Sequence, residues 1–437
     1  MLRKAVVQVN SYEEALNWIH SLLKFGIRPG LKRVEWLLGK TGNPETELSF
    51  IHIAGTNGKG SSVEYLRSIF NEAGFSVGTF TSPYLITFNE RVSINGAPIK
   101  DGELLQYSRA LKPLVEELSA TPLGSPTEFE VITVISLLYF AEKKPDIVLF
   151  ETGLGGLYDS TNVITPILSL ITNIGFDHMG ILGETIEEIA FQKAGIIKAN
   201  VPVISTVEQE AAIEVIERKA VEMKSDSYFL KRDFDVLHQE STDNGEKFTY
   251  IGQEDVKEEY VISMKGTHQI KNAGLAIAAI HHLRKSGRFT FSTSDIKNGL
   301  HDANWAGRFE KVSQSPDIII DGAHNLQGVH ALKQTLLNHY RSKKVYLLFA
   351  ALHDKDYGHM MKELEGIVYE ACFTTFDFPR AASAEMLLAE SPFPNSSANS
   401  SWTEALDDLR GRLNKEDVLI ITGSLYFISE VRKTFKK

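Results

Sequence analysis

The chain of 437 residues is 43% hydrophobic and 23% charged, which is the composition of an ordinary globular protein of two or three domains. Its formal net charge of −10 argues against nucleic acid as the main partner, although locally basic loops can still bind anionic small molecules. The single cysteine, Cys372, excludes an internal disulfide framework and fits a reducing cytoplasm. The start of the chain lacks a signal-peptide pattern and no apolar run is long enough to span a bilayer, so we expect a cytoplasmic protein without a membrane partner.

Residues 50–74 predict a strand, a glycine-rich loop and a helix in direct succession. An apolar β-type run ends at residue 53, glycines surround Lys59, and apolar residues at helical spacing extend from Ser61 to Ala73. The backbone N–H groups of such a loop, the helix dipole and the lysine charge all favour a nucleotide polyphosphate. We therefore predict a phosphate-binding loop; the alternative is a plain glycine-rich turn.

This loop departs from the ordinary P-loop pattern GxxxxGK[ST] at two positions. The pattern would place glycine at position 53 and a hydroxyl at position 60, where this chain has Ile53 and Gly60. The hydroxyl that binds Mg²⁺ directly after the lysine is therefore missing, because Ser61 comes one residue late. We expect another part of the chain to supply a metal ligand.

Residues 76–92 predict a second strand and then a loop with polar side chains. The strand extends from Ser76 to Thr81, and the loop TSPYLITFNERV carries the hydroxyl of Ser82 and the guanidinium of Arg91. The residues alone leave open whether this loop faces a ligand or only joins two elements.

A carboxylate stands at the end of the next predicted strand. Glu128–Tyr139 has the spacing of an apolar helix, and Asp146–Glu151 is an apolar run that ends in an acid. In phosphate-loop proteins, an acid at the carboxyl end of such a strand holds Mg²⁺ directly or through water. We predict a metal-site role for Glu151; the alternative is an acid that caps the strand or is solvated. The glycine-rich and hydroxyl-rich loop of residues 153–162 follows at once.

A histidine follows the strand predicted at Ile167–Thr172. Asp177 and His178 stand just beyond its end, at the edge where parallel sheets bind ligands. We predict that His178 belongs to the metal site; the alternative is a structural histidine.

A lysine is predicted on the buried face of the helix that comes next. Thr185-x-x-Glu188 is a capping box, and helical spacing up to Ile197 places Lys193 in the middle of an apolar stripe. A charged lysine is costly there, so it either loses its proton or finds an anion. One interpretation is a snorkelling or salt-bridged lysine. The other is a neutral amine that takes up CO₂ to become a carbamate near the metal.

The rest of the chain predicts the end of this sheet and then a smaller domain. Val201–Ser205 is expected to close the main sheet, residues 234–251 to form a hairpin, residues 254–259 to be a solvated charge run, and residues 391–401 to be a mobile surface loop. Helices are predicted at 208–223, 267–284 and 292–300, and short apolar strands at 317–320, 345–350 and 418–422. We predict an α/β fold with an N-terminal P-loop-type mononucleotide-binding domain of mostly parallel sheet at 1–300, and a smaller C-terminal Rossmann-like α/β domain at 301–437.

The chain resembles the folylpolyglutamate synthases and bifunctional dihydrofolate/folylpolyglutamate synthases of the Mur ligase superfamily. The resemblance covers nearly the whole chain and rests on motifs in the family's order: HIAGTNGKGS (52–61), TSPYL (81–85), FNERV (88–92), ETGLGG and DSTN (151–162), the segment 172–198, GRFE (307–310) and DGAHN (321–325). It implies an ATP-dependent ligase that adds L-glutamate to the γ-carboxyl of a reduced folate through an acyl phosphate. The N-terminal part would be the ATP-binding domain and the C-terminal part the ligase domain.

The resemblance also implies roles for individual residues. Nucleotide contacts are implied for Thr56, Asn57, Gly58, Lys59, Gly60, Ser61, Asn272, Arg308 and Asp321. Two Mg²⁺ ions are implied with Ser82, Glu151 and His178 as ligands, and a monovalent cation is compatible with the family. Lys193 matches the family's carbamylated lysine, and Lys59, His178 and Lys193 are the expected catalytic residues. Substrate contacts are implied for Arg91, Gly155, Gly156, Asp159, Thr161 and Asn162 on the pteroate side, and for His324 and Ser424 near the incoming glutamate.

One departure from the family pattern leaves the substrate open. Many relatives have arginine after GLGG, whereas this chain has Leu157 and then Tyr158, so the accepted folate form and the use of dihydropteroate are not fixed by sequence. A Mur-type peptidoglycan ligase is an alternative, disfavoured because the phosphate loop begins near residue 50 and leaves no room for a nucleotide-sugar domain before it. A second alternative is an ATP-binding module without ligase activity. We expect a monomer that acts on small molecules.

Overall fold

The computed structural model describes residues 9–252 and 257–435. The α-helices in these ranges are α1 (Tyr12–His20), α2 (Lys32–Lys40), α3 (Lys59–Glu72), α4 (Asp101–Ser119), α5 (Glu128–Lys143), α6 (Met179–Leu182), α7 (Ile186–Ala194), α8 (Glu210–Glu222), α9 (Thr267–Lys285), α10 (Thr293–Asp302), α11 (Leu326–His339), α12 (Tyr357–Glu363), α13 (Ala384–Ala389), α14 (Trp402–Arg412) and α15 (Leu425–Lys433). Short 3₁₀ helices lie at Ser21–Phe25, Pro44–Glu47, Phe88–Arg91 and Ser160–Val163. Within the described ranges, no helix combines the length and apolar character needed to cross a membrane.

The strands in the same ranges form three sheets. They are β1 (Phe50–Ala54), β2 (Val77–Phe80), β3 (Val92–Ile94), β4 (Ala97–Pro98), β5 (Ile147–Glu151), β6 (Leu168–Ile171), β7 (Val203–Ser205), β8 (Ser227–Phe229), β9 (Asp235–Thr242), β10 (Gly245–Ile251), β11 (Lys257–Ile262), β12 (Glu310–Ser313), β13 (Asp317–Ile320), β14 (Val345–Phe349), β15 (Val368–Phe373), β16 (Ser396–Ala398) and β17 (Val418–Thr422). The sheet orders are β4-β3-β2-β5-β1-β6-β7-β8, β11-β10-β9 and β12-β13-β17-β14-β15-β16.

The described chain divides into two compact units. Unit 1 takes the residues up to Tyr84, then Phe88–Asp235 and Gly274–Gly299, and unit 2 takes Leu85–Thr87, Val236–Ala273 and the residues from Leu300 onward. The predicted boundary between residues 300 and 301 stays a prediction.

Unit 1 contains the eight-stranded sheet, whose centre positions the site. Strands β2, β5, β1, β6, β7 and β8 are parallel, while β3 and β4 add an antiparallel edge. The central strands β1 and β5 are buried along their whole length, as the apolar runs in the sequence require for a sheet covered on both faces. Ile53 of β1 pairs with Glu151 of β5, and Ala54 pairs with Ile171 of β6. The carboxyl ends of three predicted ligand-bearing strands therefore meet at one edge.

Unit 2 contains the six-stranded sheet and the three-stranded antiparallel sheet. In the larger sheet β13, β17, β14, β15 and β16 are parallel, with β12 antiparallel at one edge. The apolar strands predicted at 317–320, 345–350 and 418–422 are confirmed as β13, β14 and β17, and the predicted hairpin is confirmed as β9 and β10. The mostly parallel N-terminal sheet and the smaller C-terminal α/β sheet bear out the predicted fold class.

Two sequence expectations about sheets are wrong, and the one about residues 254–259 missed a strand. The main sheet is not closed by residues 201–205, because β8 pairs in parallel with β7 beyond them. In the predicted solvated charge run, Lys257 and Glu259 are exposed as expected, but they begin strand β11, in which Tyr260 and Ile262 are buried. Residues 254–256 of that run lie outside the described ranges. The serine-rich segment 391–401 contains edge strand β16, whose backbone pairs with β15. Backbone pairing at a sheet edge stabilises these short strands despite their polar composition.

Candidate active site

The loop between β1 and α3 is fixed by hydrogen bonds to the segment that follows β6. The backbone N–H of Thr56 donates to the carbonyl of Asn173 at 3.0 Å, and the N–H of Asn57 donates to the side-chain oxygen of Asn173 at 2.8 Å. In return, the hydroxyl of Thr172 donates to the carbonyl of Asn57 at 2.6 Å. The loop is thus pre-shaped by its neighbour in the sheet.

A glycine is required where this loop leaves β1. A Cβ atom at Gly55 would lie 1.8 Å from the hydroxyl oxygen of Thr172 and 3.3 Å from the backbone nitrogen of Asn173. Gly58 caps α3, so Lys59, Gly60 and Ser61 form its first turn, two residues earlier than the sequence pattern indicated. The free N–H groups of that turn and the helix dipole give the loop its preference for an anion.

The side chain of Lys59 lies over its own loop. Its ammonium group donates to the carbonyl of Gly55 at 3.0 Å and to that of Thr56 at 3.3 Å. These neutral carbonyl partners hold the charge above the loop without cancelling it, so the ammonium can exchange them for a stronger anionic acceptor.

Ser82 and Glu151, both predicted at the metal site, lie together. Ser82 follows β2 and Glu151 ends the neighbouring strand β5, and the backbone N–H of Ser82 donates to Glu151 Oε2 at 3.3 Å. Glu151 is only 3% exposed, yet it ends a strand at the ligand-binding edge. The structure therefore brings together one hydroxyl residue and one buried carboxylate beside the phosphate loop.

His178 lies on the loop after β6, with a side chain that is 45% exposed. It adopts a left-handed backbone conformation, and its N–H donates to Asp177 Oδ1 at 2.9 Å. Among residues 9–252 and 257–435, no group of three or more histidine, cysteine, aspartate or glutamate side chains is arranged to hold a metal ion. A shared site of His178 with Glu151 stays a prediction.

Lys193 is buried on the inner face of α7, as the helical spacing predicted. Its side chain is 3% exposed, and the capping box of Thr185 and Glu188 at the start of the helix is present. Burial, together with the positive charge of Lys59, lowers the pKa of Lys193 to about 7, although the carboxylates of Asp177 and Asp159 act in the opposite direction. A substantial neutral amine fraction at physiological pH follows.

The loop of residues 153–162 holds itself together through Asp159. The Asp159 carboxylate accepts hydrogen bonds from the N–H of Leu154 at 2.7 Å, the N–H of Thr161 at 3.0 Å and the Thr161 hydroxyl at 2.6 Å. Burial raises the pKa of Asp159, and these hydrogen bonds offset part of that rise. The Asn162 side chain likewise donates to the carbonyls of Leu157 and Gly195, at 3.0 and 3.1 Å.

The same loop packs closely on the end of α7. A Cβ atom at Gly156 would lie 2.8 Å from the carbonyl oxygen of Gln192 and 2.9 Å from that of Lys193. The backbone N–H of Leu157 also donates to the Gln192 carbonyl at 2.7 Å. Gly155 lies beside the Leu182 side chain. The five predicted substrate residues of this loop are therefore clustered. The polar side chains among them bond within the loop, to the end of α7 and, for Thr161, also to His52 of β1.

Arg91 lies beside two aromatic rings that contact each other. Its guanidinium carbon is 5.2 Å from the centre of the Tyr84 ring and 5.4 Å from that of Phe88, and one nitrogen is 4.0 Å from Glu128. His20 Nδ1 approaches the same carboxylate at 3.5 Å. The Nε of Arg91 is buried and has no hydrogen-bond partner within the described part of the chain. Sequence reasoning missed His20 and Glu128, because only the fold brings these distant segments together.

The predicted nucleotide residues of unit 2 are partly assembled around Asp321. The Asp321 carboxylate accepts the N–H groups of Phe309 and Ala323, each at 2.9 Å. Burial raises the pKa of Asp321, and the nearby Arg308 charge offsets part of this rise. The same arginine and, more strongly, burial lower the pKa of His268 to about 4. His268 lies in the first turn of α9, and sequence reasoning missed it.

Asn272, His324 and Ser424 occupy three further positions in unit 2. Asn272 is buried in α9 and its side-chain amide donates to Gln269 Oε1 at 3.0 Å. His324 Nδ1 lies 2.8 Å from the carbonyl of Gly322, which fixes the proton on Nδ1. Ser424 precedes α15, and its neighbour Gly423 donates to the carbonyl of Ala323 at 3.1 Å. The loops that carry His324 and Ser424 are thus adjacent.

Two family models match the two halves of the chain. The Mur ligase middle domain matches residues 53–280, and the Mur ligase glutamate ligase domain matches residues 307–425. The first contains the phosphate loop and the second contains the Asp321 loop. The class of protein defined by this fold and site is therefore the Mur-type ligase.

Comparisons with known proteins narrow this class. The chain is 45% identical to the dihydrofolate synthase/folylpolyglutamate synthase of Bacillus subtilis over 431 residues, which is 98% of this chain and 99% of that protein. It superimposes on the crystal structure of Thermotoga maritima folylpolyglutamate synthase with a TM-score of 0.85 and 32% identity, covering 97% and 96% of the two chains. An FPGS–AMPPCP–folate complex matches with a TM-score of 0.84 and 32% identity over 98% and 100%. The chain belongs to the folylpolyglutamate synthase family, as the sequence motifs indicated.

Proposed function

We propose that this protein is an ATP-dependent, ADP-forming ligase that joins L-glutamate to the γ-carboxyl group of a reduced folate. The observation that carries the proposal is the edge of the first sheet, where the phosphate loop of residues 55–61 lies beside Ser82, Glu151 and the buried Lys193. Family membership and the similarity to a complex with AMPPCP and folate support the same reaction.

The chemistry explains why a phosphate loop belongs in a ligase. Joining a carboxylate to an amine is uphill in water, so the carboxylate must be activated first. An oxygen of the folate γ-carboxylate attacks the γ-phosphorus of ATP. The bond between that phosphorus and the β–γ bridging oxygen breaks, so ADP is released and the folate carries an acyl phosphate. The glutamate nitrogen then attacks the acyl carbon, phosphate departs and the nitrogen loses a proton. Positioning and charge stabilisation are the main tasks of the protein in such a transfer.

Nucleotide contacts are proposed for two sets of residues, one in the phosphate loop of unit 1 and one in unit 2. Thr56, Asn57, Gly58, Lys59, Gly60 and Ser61 would bind the phosphates through the N–H groups of the loop and first turn of α3. Lys59 would exchange its two carbonyl partners for phosphate oxygens. Asn272, Arg308 and Asp321 would make the remaining nucleotide contacts. His268 would stay neutral beside Arg308, because burial keeps its pKa near 4.

The residues near the phosphate loop fit Mg²⁺, a metal that prefers oxygen ligands. Ser82 and Glu151 would be ligands of one ion, with the carboxylate oriented by the Ser82 N–H. Glu151 and His178 would serve a second ion, and a monovalent cation remains part of the proposal without residues assigned to it. Bound Mg²⁺ would neutralise charge on the phosphate oxygens during transfer.

Lys193 is proposed to carry a carbamate. Its burial and its pKa of about 7 supply the neutral amine that can attack CO₂, with release of one proton. The product would be a carboxylate within a buried helix face that otherwise carries an amine. A protonated Lys193 repels cations near the phosphate loop, whereas its carbamate would attract them.

The pteroate part of the acceptor is proposed to bind beside the loop of residues 153–162. Gly155, Gly156, Asp159, Thr161 and Asn162 shape that loop, and Arg91 offers a buried guanidinium edge beside the rings of Tyr84 and Phe88. The incoming glutamate would bind near His324 and Ser424. The name of the Bacillus subtilis relative includes dihydrofolate synthase, so dihydropteroate is proposed as a second acceptor.

The broader setting is part of the same proposal. We propose a monomer of the cytoplasm with an ATP-binding domain at 1–300 and a ligase domain at 301–437. The net charge of −10 supports the view that neither nucleic acid nor a membrane surface is a partner.

A side-by-side assay tests this function. Purified protein is incubated with ATP, Mg²⁺, L-glutamate and either tetrahydrofolate or dihydropteroate, and ADP and the pteroyl products are measured, the latter by mass spectrometry. We expect ADP release that depends on both acceptor and glutamate, and a product heavier by one glutamyl residue. ADP release independent of both substrates, or no product with either acceptor, would contradict the proposal.

A further inference from the structure

A buried histidine on the central strand contacts the acceptor-side loop. His52 lies in β1, is fully buried, and its Nε2 is 2.8 Å from the hydroxyl oxygen of Thr161. That hydroxyl is in turn 2.6 Å from Asp159 Oδ1. The three side chains form a chain of hydrogen bonds from the middle of the sheet into the loop.

The available hydrogens determine which group donates in each of these hydrogen bonds. Asp159 accepts backbone N–H groups at both oxygens, from Thr161 at Oδ1 and from Leu154 at Oδ2, as an ionised carboxylate does. The single hydroxyl proton of Thr161 must therefore point to Asp159. The hydroxyl oxygen can then only accept from His52, so the ring proton of His52 lies on Nε2.

The surroundings keep the ring in this one neutral form. Burial, assisted by the Lys198 charge, lowers the pKa of His52 to about 3. The other ring nitrogen, Nδ1, is buried without a hydrogen-bond partner in the described residues, as suits an unprotonated nitrogen. Lys198 itself donates to the carbonyl of Asn162 at 2.8 Å, so it anchors the far end of the same loop.

We infer that His52 is a positioning residue for the acceptor site: its Nε2–H holds the Thr161 hydroxyl on Asp159 and thereby fixes the conformation of the 153–162 loop. Without this donor, the Thr161 hydroxyl can rotate away, and the buried Asp159 carboxylate loses its hydrogen bond from that hydroxyl. The consequence is a looser loop rather than a lost substrate contact. The inference relies on the proposed function only where it names that loop as the acceptor site.

The tautomer gives a direct test that does not need enzyme activity. The protein has 13 histidines, so ¹⁵N-histidine labelling with an H52Q sample for assignment identifies the His52 ring signals. We expect a protonated Nε2 and an unprotonated Nδ1 between pH 5.5 and pH 8. A proton on Nδ1, or a ring that titrates in this range, would overturn the inference.

Loop order is measured by amide hydrogen exchange at Leu154 and Thr161, whose N–H groups Asp159 accepts. H52L removes the donor, whereas H52Q keeps an N–H at similar reach. We expect faster exchange at both amides in H52L and near-normal exchange in H52Q. Thr161→Val is the second variant, since it breaks the chain from the other side while leaving His52 in place. Unchanged exchange in both H52L and T161V would refute the positioning role.

Steady-state kinetics then separate positioning from general destabilisation. Loss of one hydrogen bond should raise KM for the folate acceptor about five- to tenfold in H52L, leave KM for ATP nearly unchanged, and be largely reversed in H52Q. Ser136→Ala is the matched control, because it deletes a buried hydroxyl that donates to the Thr133 carbonyl within α5. Equal increases in both KM values would contradict the inference. Absence of ligation in the wild-type protein would refute the proposed function, while the tautomer and exchange results would still decide the role of His52.

Discussion

The phosphate loop at residues 55–61 and the acceptor-side loop at residues 153–162 follow neighbouring strands, yet they are built from different atoms. The first is held mainly by backbone groups, together with the Thr56 hydroxyl, which form hydrogen bonds with the segment after β6. The side chain of Lys59 donates to two carbonyls of its own loop. The second is held by its own side chains, above all Asp159 and Asn162. Substitution in the first should therefore remove ligand contacts, and substitution in the second should disturb loop geometry.

The largest expected effect comes from Lys59→Ala. Removing the only cation of the loop deprives the transferring phosphate of a positioned charge, so kcat for ligation should fall about a thousandfold or more. Amide exchange in the 153–162 loop should stay unchanged. Lys40→Ala is the control, since Lys40 at the end of α2 is exposed and forms an ion pair with Glu117 of α4. Turnover of K59A within tenfold of wild type would contradict the phosphate-loop assignment.

Asp159→Asn should come next and should act through the acceptor. The amide NH₂ cannot accept the Leu154 N–H and the two donors of Thr161 as the carboxylate does, so the loop should shift. A misplacement of this kind lowers kcat/KM for the folate acceptor by about ten- to a hundredfold. Binding of an ATP analogue, measured by calorimetry, should be retained. Equal loss of nucleotide and acceptor binding would contradict the claim that the acceptor-side loop acts on the acceptor and not on the nucleotide.

Gly156→Ala tests the close contact of the acceptor-side loop with α7. The added methyl group would meet two carbonyl oxygens at 2.8 and 2.9 Å, so we expect about 1–3 kcal/mol of destabilisation from overpacking. Gly180→Ala is the matched control, because nothing lies within 4 Å of its Cβ position. Urea unfolding of both variants gives the comparison, and equal free energies of unfolding would show that the loop can move away from α7.

Sequence patterns predicted the phosphate loop better than the acceptor-side loop for the same structural reason. The β1–loop–α3 unit is local, so spacing alone located Lys59, and Glu151 followed from the rule that ligands bind at the carboxyl ends of parallel strands. The role of Ser82 was implied by the family resemblance, because the residues alone left its loop open. The contacts of Asp159 with Thr161 and His52 depend on side-chain orientation across two strands, which spacing does not encode. The Arg91 pocket with His20 and Glu128 and the edge strand β16 were missed because tertiary packing and backbone pairing create them.

The smallest effect, and the one that connects the two loops, is the pH dependence of Lys193. Its pKa is lowered from 10.5 to about 7 in the folded protein, so between these values the unfolded chain binds a proton that the native protein does not. The free energy of unfolding should therefore rise with pH above 7, by at most about 1.4 kcal/mol per pH unit from this group, and stay flat below it. Burial also lowers the pKa values of Lys198 and Lys265, which add a slope of the same sign, so the contribution of Lys193 is the difference between wild type and variant. In CO₂-free buffer, Lys193→Met should reduce the slope, whereas Lys40→Met should leave it unchanged. An identical slope in wild type and K193M would show that Lys193 stays charged in the folded protein over this pH range, which would contradict the neutral amine that the proposed carbamate needs.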